Sequence, residues 1–197
     1  MMPPGLQAIL LAAGGSSRFG SPKQLAHVHG RPMLSHAITT LLQLGRPDSI
    51  IVVLGANADV LEPLASAAGV TSVVNPGYAQ GVAGSIRAGM AALRPDCRGV
   101  LIALADQVGV TADDLRRLVN RWLQRPEGIA AALYSDVVGA PAIFPAALID
   151  ELAALQGDRG ARDLLRRHPD QVSTLAMPNA AADVDTPADL AGVVQRD

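Results

Sequence analysis

The sequence predicts an α/β fold, a three-layer sandwich in which helices cover both faces of a mostly parallel sheet. Short, unbroken apolar runs recur along the chain and are bounded by Gly, Asn or Asp, which is typical of strands buried on both faces. Segments with helical spacing separate these runs, and strands that alternate with helices form parallel sheets through right-handed crossovers. The apolar runs are residues 8–11, 50–54, 73–74, 100–104 and 129–133.

Two helix starts are clear from the sequence. Thr111 is followed three residues later by Asp114, a capping box that satisfies the free amides of a helix start. Thr186 begins a closing helix, with Pro187 at the first helical position. The apolar face predicted for the first of these helices comprises Leu115, Leu118, Val119, Trp122 and Leu123.

Length and composition favour one domain over residues 1–197. The chain has 197 residues, and 49% of them are apolar, which is enough for a single buried core. The net charge is -2 and there is no long basic run, so the surface is not suited to following a nucleic-acid backbone. Any anion site is therefore expected to be local.

The cysteine content and the apolar start indicate the compartment. Cys97 is the only cysteine, which rules out an internal disulfide framework and a Cys/His zinc site. The apolar stretch at 6–13 is too short to span a membrane and lacks a basic leader, so it is interpreted as a buried strand rather than a signal peptide. We therefore expect a cytoplasmic protein with no membrane association.

Ligands of parallel α/β sheets bind where the strands end and helix N-termini point outward. This rule directs attention to the segments that follow the predicted strands and to the start of the closing helix. The chemistry is accordingly expected in residues 12–24, 75–87, 105–108 and 183–186.

A glycine loop follows the first strand. Gly14, Gly15 and Gly20 allow the backbone to approach a ligand closely, and Arg18 and Lys23 add two positive charges. Such a combination suits a triphosphate, whose departing pyrophosphate needs charge stabilisation. The spacing fits neither a Walker A loop nor a dinucleotide-binding fingerprint. The alternative is a plain strand-to-helix turn with two solvated charges.

Two aspartates are candidate metal ligands. Asp106 follows a strand of five apolar residues, and Asp185 lies just before the closing helix. Mg²⁺ prefers oxygen ligands and is commonly held by one or two carboxylates together with substrate phosphates. The alternatives are a strand-end cap for Asp106 and a turn residue or helix cap for Asp185.

A second loop begins at Asn75 and leads past Gly81 into a helix with Ile86 and Met90 on one face. Ser85 and the amides at the start of this helix have the donors and acceptors needed to bind the edge of a nucleobase. The alternative is that Ser85 is simply a serine in the first turn of a helix.

Residues 11–23 resemble the signature L-A-A-G-x-S-x-R-(M/F)-G-x-x-K of the molybdenum cofactor cytidylyltransferases and related nucleotidyltransferases. Further blocks resemble the same family in the same order, over roughly residues 6–190. The resemblance implies a Rossmann-like fold of the nucleotide-diphospho-sugar transferase type. The further blocks are residues 75–78, Gly81, 85–89, 104–107, 157–162 and 183–187.

The resemblance implies transfer of CMP from CTP to a molybdopterin-type acceptor, with Mg²⁺ as cofactor and release of pyrophosphate. It implies catalytic roles for Arg18, Lys23 and Asp106, and metal binding by Asp106 and Asp185. Ala13 indicates the cytidylyltransferase branch, because related guanylyltransferases usually read L-A-G-G there. The residues expected to bind the nucleotide are Ala12, Ala13, Gly14, Gly15, Ser16, Arg18, Lys23, Asn75, Gly81 and Ser85.

The sequence departs from the family pattern at two positions. Val108 replaces the proline that usually follows Asp-Gln in the metal loop, and Ala140 replaces the histidine of a Gly-His-Pro motif near the acceptor. Several alternatives therefore stay open: a guanylyltransferase, a cytidylyltransferase for a small alcohol phosphate, an NAD(P)-linked oxidoreductase, or a chaperone that binds the cofactor without catalysis. A recipient molybdoenzyme is a candidate partner in the cytidylyltransferase and chaperone cases.

Overall fold

The computed structural model describes residues 2–194, and their side chains as far as residue 192. The strands are β1 (Leu6–Leu11), β2 (His27–Val28), β3 (Arg31–Pro32), β4 (Ile50–Leu54), β5 (Thr71–Val74), β6 (Gly99–Leu104), β7 (Ile129–Tyr134), β8 (Val137–Pro145) and β9 (Val172–Ala176). The helices are α1 (Met33–Leu42), α2 (Ala58–Ala67), α3 (Val82–Ala91), α4 (Ala112–Leu123), α5 (Ile149–Ala153), α6 (Ala161–Arg167) and α7 (Pro187–Val194).

A seven-stranded sheet forms the middle layer, in the order β5-β4-β1-β6-β8-β7-β9. Only β8 runs against its neighbours, and the other strand pairs are parallel. All five predicted apolar runs lie within strands of this sheet. The prediction of a mostly parallel sheet is confirmed, and β2 and β3 form a separate small hairpin.

Helices cover both faces of the sheet, which confirms the three-layer architecture. The apolar side chains of α1, α2 and α4 pack on one face, and those of α3, α5 and α6 pack on the other. Leu123 was expected on the buried face of α4, but its residue is 48% exposed. It is the last residue of the helix and lies about 100° around the axis from Trp122, which carries it off the buried stripe.

The predicted helix starts are present. The Thr111 hydroxyl accepts from the Asp114 amide at 3.1 Å, and the Asp114 carboxylate accepts from the Thr111 amide at the same distance. Thr186 and Asp189 exchange equivalent bonds at the start of α7. Within residues 2–194, no helix combines the length and the apolar character needed to cross a bilayer.

The topology brings three segments to one edge of the sheet. Because β1 and β6 are parallel neighbours, the glycine loop after β1 and Asp106 after β6 emerge side by side. The segment before α7 returns to the same edge, since Gln107 and Asp183 form an antiparallel bridge. The Val184 amide donates to the Asp106 carbonyl at 3.1 Å, which fixes the position of this returning segment.

Candidate active site

Lys23 lies between the two predicted metal ligands. Its ammonium donates to Asp106 Oδ2 at 2.8 Å, to Asp185 Oδ1 at 2.8 Å and to the Val184 carbonyl at 3.0 Å. Arg18 binds the other oxygen of the Asp185 carboxylate at 2.7 Å. The structure therefore brings together four candidate site residues from three distant segments of the chain, beside the partly exposed space that we call the cleft.

The charges of these groups influence each other's protonation. Desolvation acts to lower the pKa of the Lys23 ammonium, but the charges and hydrogen bonds of Asp106 and Asp185 outweigh it and raise the pKa above its ordinary value. The hydrogen bond from Lys23, with the charges of Lys23 and Arg18, lowers the pKa of Asp185. The cluster therefore holds Lys23 charged and Asp185 ionised near neutral pH.

Asp183 is a third carboxylate of this cluster, and it was not predicted. Desolvation, followed by the negative charges of Asp106 and Asp185, raises its pKa to about 6. Its spacing of two residues from Asp185 is a signal that the sequence does carry. The position of Asp183 beside Asp106, however, depends on the bridge between Gln107 and Asp183, which no local pattern indicates.

Gln24 holds the glycine loop in shape. Its side-chain amide donates to the carbonyls of Ala12 at 3.1 Å and Gly14 at 2.9 Å. The Ser16 hydroxyl donates to Gln24 Oε1 at 3.1 Å and accepts from the Lys23 amide at 3.1 Å. Ser16 therefore orders the loop from within, and Gln24 is a residue that sequence analysis missed although it directly follows Lys23.

The second loop adjoins the first. The Ala13 carbonyl accepts from the amide of Ala56, in the loop after β4, at 3.2 Å. A Cβ added at Gly15 would lie 3.8 Å from the ring of Tyr78, a residue of the second loop, and open space surrounds Gly14. The two loops thus meet along the exposed backbone of residues 14–15.

Asn75 organises the second loop around Ser85. Its amide nitrogen donates to Ser85 Oγ at 3.1 Å, and its amide oxygen accepts from the Gly77 amide at 3.0 Å. Both side chains are buried at the start of α3. Gly81 caps this helix with a φ of 111°, and a Cβ there would overlap the Gly157 carbonyl, so the position favours glycine on two grounds.

Gln107 connects the loop after β6 to its surroundings. It is buried, and its side-chain amide donates to the carbonyls of Ala180 at 2.8 Å and Ala140 at 3.0 Å. The Tyr134 hydroxyl lies 3.5 Å away. These contacts join Gln107 to residues 27 to 73 positions away along the chain, so no local pattern indicates them.

The carboxylates suit a hard dication that shares its shell with a substrate. Asp106 and Asp185 offer the oxygen ligands that Mg²⁺ prefers, and such sites commonly use one or two carboxylates with phosphates and waters completing the shell. Within residues 2–194, no group of three or more His, Cys, Asp or Glu side chains is arranged to hold a metal ion. The donor set fits an ion held jointly with phosphate oxygens.

Comparison with known proteins identifies the family. Residues 8–172 match the model of the MobA-like NTP transferase domain. The chain is 34% identical to nicotine blue oxidoreductase of Paenarthrobacter nicotinovorans, over 93% of both chains. It is 33% identical to a probable molybdenum cofactor guanylyltransferase of Rhodopirellula baltica, over 95% of this chain and 91% of the relative. The molybdenum cofactor cytidylyltransferase of Escherichia coli K12 is 25% identical, over 97% of this chain and 96% of the relative.

Solved structures show the same architecture over nearly all of the residues that the structure describes. Rv0371c from Mycobacterium tuberculosis H37Rv superposes with a TM-score of 0.83 at 31% identity, covering 98% of both chains. A second structure of that protein is a complex with manganese, with a TM-score of 0.80 at 29% identity over 98% of this chain and 99% of the other. With a family match over most of its length and the shared fold, the chain belongs to the MobA-like NTP transferase family and is a nucleotidyltransferase.

Proposed function

We propose that this enzyme transfers CMP from CTP to the terminal phosphate of a molybdopterin-type acceptor and releases pyrophosphate. One observation carries the proposal: the Lys23 ammonium at the mouth of the glycine loop lies 2.8 Å from carboxylate oxygens of both Asp106 and Asp185. Cations, carboxylate oxygens and the exposed glycine backbone therefore meet at one place, as a nucleoside triphosphate with its divalent ion requires.

The reaction is an in-line displacement. An oxygen of the acceptor phosphate forms a bond to the α-phosphorus of CTP, the bond from that phosphorus to the bridging oxygen breaks, and pyrophosphate leaves with the electron pair. Lys23, Arg18 and the amides of the glycine loop stabilise the charge of the departing group. Mg²⁺ held by Asp106 and Asp185 would neutralise charge on the phosphate oxygens.

No side chain has to act as a nucleophile in this scheme. The attacking phosphate is already anionic near pH 7, because the second pKa of a phosphate monoester is about 6. Catalysis is then mainly positioning and electrostatic stabilisation. The glycine loop, fixed by Gln24 and Ser16, supplies the positioning.

The buried Ser85 hydroxyl is a candidate contact for the nucleobase. Because Ser85 Oγ accepts a bond from Asn75, its own proton is available for another acceptor. Cytosine offers O2 and N3 as acceptors and guanine offers O6, so this hydroxyl does not select between the two bases, and the choice of CTP rests on Ala13. Among the relatives, one is named a cytidylyltransferase and another a guanylyltransferase, so the base must be tested directly.

The test is a screen of the four nucleoside triphosphates with molybdopterin and Mg²⁺, following pyrophosphate release and product mass. We expect CTP to be used at least tenfold better than GTP, and the product to be heavier than molybdopterin by one CMP unit. Preference for GTP would establish a guanylyltransferase instead. Molybdopterin binding with no pyrophosphate release from any triphosphate would support the chaperone alternative.

Asp106→Asn tests the metal assignment. The amide keeps the shape of the side chain but removes the negative charge that holds Mg²⁺, so turnover with CTP should fall by roughly a hundredfold or more while the protein stays folded. Asp113→Asn, an exposed aspartate on α4, is the matched control and should leave turnover unchanged. Full activity of Asp106→Asn would show that the metal is held elsewhere.

A second candidate is an oxidoreductase that uses a nicotinamide cofactor. The 34% identity with a protein named nicotine blue oxidoreductase favours it. The spacing of Gly14, Gly15 and Gly20 opposes it, because a dinucleotide-binding fingerprint requires G-x-G-x-x-G after the first strand. Incubation of the pure protein with NADPH and nicotine blue, followed at the nicotinamide absorbance band, decides the question: steady consumption would support the oxidoreductase.

A further inference from the structure

The segment 157–162 lies against both the second loop and β8, and the proposed reaction leaves it without a role. At one end, the Gly157 carbonyl accepts from the Ala83 amide at 3.1 Å. In the middle, a Cβ at Gly160 would lie 3.3 Å from Val82. At the other end, Arg162 in the first turn of α6 extends over β8. The segment therefore borders the cleft on the side away from the glycine loop.

The guanidinium of Arg162 lies directly above Gly139. A Cβ at Gly139 would be 3.2 Å from an Arg162 nitrogen and 2.7 Å from the Tyr134 hydroxyl. Only a glycine at this position leaves room for both groups. Gly139 is followed by Ala140, whose carbonyl accepts a hydrogen bond from the Gln107 side chain. Gln107 in turn directly follows Asp106 in the sequence. Arg162 is thereby placed within reach of the carboxylate cluster.

The charge of Arg162 faces this cluster without a partner. Within residues 2–194, the Arg162 guanidinium forms neither a hydrogen bond nor an ion pair, and Arg162 is exposed. The guanidinium nevertheless lies close enough to Asp183 for the two charges to interact. A planar cation that is exposed and unpaired near Asp183 is suited to binding an anion that enters the cleft.

The order of the strands indicates which anion this is. Asp106 follows β6, the glycine loop with Arg18 and Lys23 follows β1 on one side, and Arg162 lies over β8 on the other side. The triphosphate belongs with the two cations of the glycine loop. The anion on the β8 side is then the acceptor, whose phosphate has to reach the α-phosphorus from the side opposite the pyrophosphate.

We propose that Arg162 binds the phosphate monoester of the acceptor through its guanidinium fork and holds it in line with the α-phosphorus of CTP. Gly139 keeps the space that this phosphate and the guanidinium occupy. The inference rests on the proposed function. It also assigns an anion-binding group to the β8 side of the cleft. Ala140, which stands where the family pattern has a histidine, cannot bind an anion through its methyl side chain.

The experiment compares Arg162→Ala and Arg162→Lys with the wild type, using molybdopterin as the probe. Arg166→Ala is the matched control, because Arg166 is an exposed arginine on the same helix. Pyrophosphate release gives kcat and KM for each substrate, and ultrafiltration gives the dissociation constant of molybdopterin without nucleotide. Far-ultraviolet circular dichroism and urea midpoints confirm that each variant is folded.

For Arg162→Ala we expect KM and the dissociation constant for molybdopterin to rise roughly ten- to a hundredfold, as for loss of a charged hydrogen bond. KM for CTP should change less than twofold. Arg162→Lys should recover part of the loss, because it keeps the charge but not the fork. Arg166→Ala should behave as the wild type.

Three outcomes would overturn the inference. An unchanged molybdopterin affinity in Arg162→Ala, with an active wild type, would refute it alone. A rise in KM for CTP instead would assign Arg162 to the triphosphate. If the wild type neither bound nor used molybdopterin, the proposed acceptor would be wrong, and the role of Arg162 would fall with it.

Discussion

At the scale of single residues, Lys23 balances the negative charge of the cleft. It contacts Asp106 and Asp185, whose side chains are 26% and 36% exposed, while its own is 11% exposed. Arg18 also contacts Asp185, but its side chain is 71% exposed. A cation held away from water beside carboxylates contributes more than one on the surface, because solvent screens the exposed pair.

Lys23→Met should therefore lower both stability and activity. Without Mg²⁺, we expect the free energy of unfolding to fall by about 1 to 2 kcal/mol, less than for a fully buried pair because the carboxylates are partly hydrated. Turnover at saturating CTP should fall roughly a hundredfold, since a charge on the departing pyrophosphate loses its partner. Urea unfolding and pyrophosphate release measure the two effects.

Arg18→Met is the comparison for this variant. It removes a cation from the same carboxylate but at an exposed position, so its effect on unfolding should be less than about 0.5 kcal/mol. Equal destabilisation by the two variants would show that burial of Lys23 has no bearing on its contribution.

His36 gives the protein a pH-dependent stability near neutrality. Its ring lies 3.3 Å from the Val108 carbonyl and next to His29. Desolvation, followed by the charges of His29 and Arg31, lowers its pKa below 6.5 despite the bond to Val108. The folded protein then binds fewer protons at this site than the unfolded chain, so stability falls as the pH drops below 6.5.

His36→Gln should reduce this loss, because glutamine can donate to Val108 but does not titrate. We expect the urea midpoint of the wild type to fall further between pH 7.5 and pH 5.5 than that of the variant. Asp183 acts in the opposite direction, since its raised pKa of about 6 adds stability as the pH falls. The effect of Asp183 is common to both proteins and cancels when their urea midpoints are compared. A variant whose urea midpoint falls with pH as much as that of the wild type would contradict the prediction.

Residues of the site differ in how well sequence could reveal them. Arg18, Lys23 and Asp106 lie in short segments whose glycines, charges and strand end indicate a phosphate and a metal. Gln24 and Gln107 act through carbonyls brought near by folding, so their types and neighbours carry no signal of that role. Local chemistry is visible in a sequence, whereas side chains that support it from a distance are not.

At the scale of secondary structure, the start of α4 shows how a local pattern fixes an element. The box formed by Thr111 and Asp114 satisfies amides that the helix itself leaves free. Thr111→Ala should destabilise the protein by about 1 kcal/mol, measured by urea unfolding. Thr111→Ser keeps the hydroxyl and should cost less than half of that amount. Identical losses in both variants would show that the methyl group, and not the cap, is responsible.

Sequence analysis does not predict β8, and the reason is physical. β8 contains Pro141 and Pro145, and proline within a run argues against a central strand. The register with β7 shifts at this point: Ala131 pairs with Ala142 and Ala132 pairs with Gly139, so residues 140–141 fall in the irregularity. Pro141 is accommodated in this bulge, which depends on the neighbouring strand and not on the sequence of β8.

At the scale of the whole molecule, we propose that the chain is one cooperative domain. The two apolar cores lie on opposite faces of one sheet, and residues of β1, β4 and β6 alternate between them. Loosening either core therefore disturbs strands on which the other depends. A single unfolding transition, seen alike by fluorescence of Trp122 and by circular dichroism, is the expected behaviour, and two separated transitions would contradict it.

Nucleotide binding should stabilise this whole unit, because the proposed site joins the loops after β1 and β6 to the segment before α7. A ligand at a hundred times its dissociation constant adds about 2.7 kcal/mol to the free energy of unfolding. For a protein of this size that corresponds to roughly 5 to 10 °C in Tm. With Mg²⁺ present, CTP should produce this shift, and GTP at the same concentration should produce a smaller one.

The metal part of this effect can be separated by Asp106→Asn. Without ligand the variant should lose a little of its own Tm, because its ion pair with Lys23 is gone. If Asp106 holds the ion with the phosphates, the variant should also lose most of the Tm difference between CTP with Mg²⁺ and CTP with EDTA. Asp113→Asn should retain that difference in full. If CTP raised the Tm of the wild type equally with and without Mg²⁺, the triphosphate would bind through Lys23, Arg18 and the loop amides alone. Asp106 and Asp185 would then serve only to position those cations.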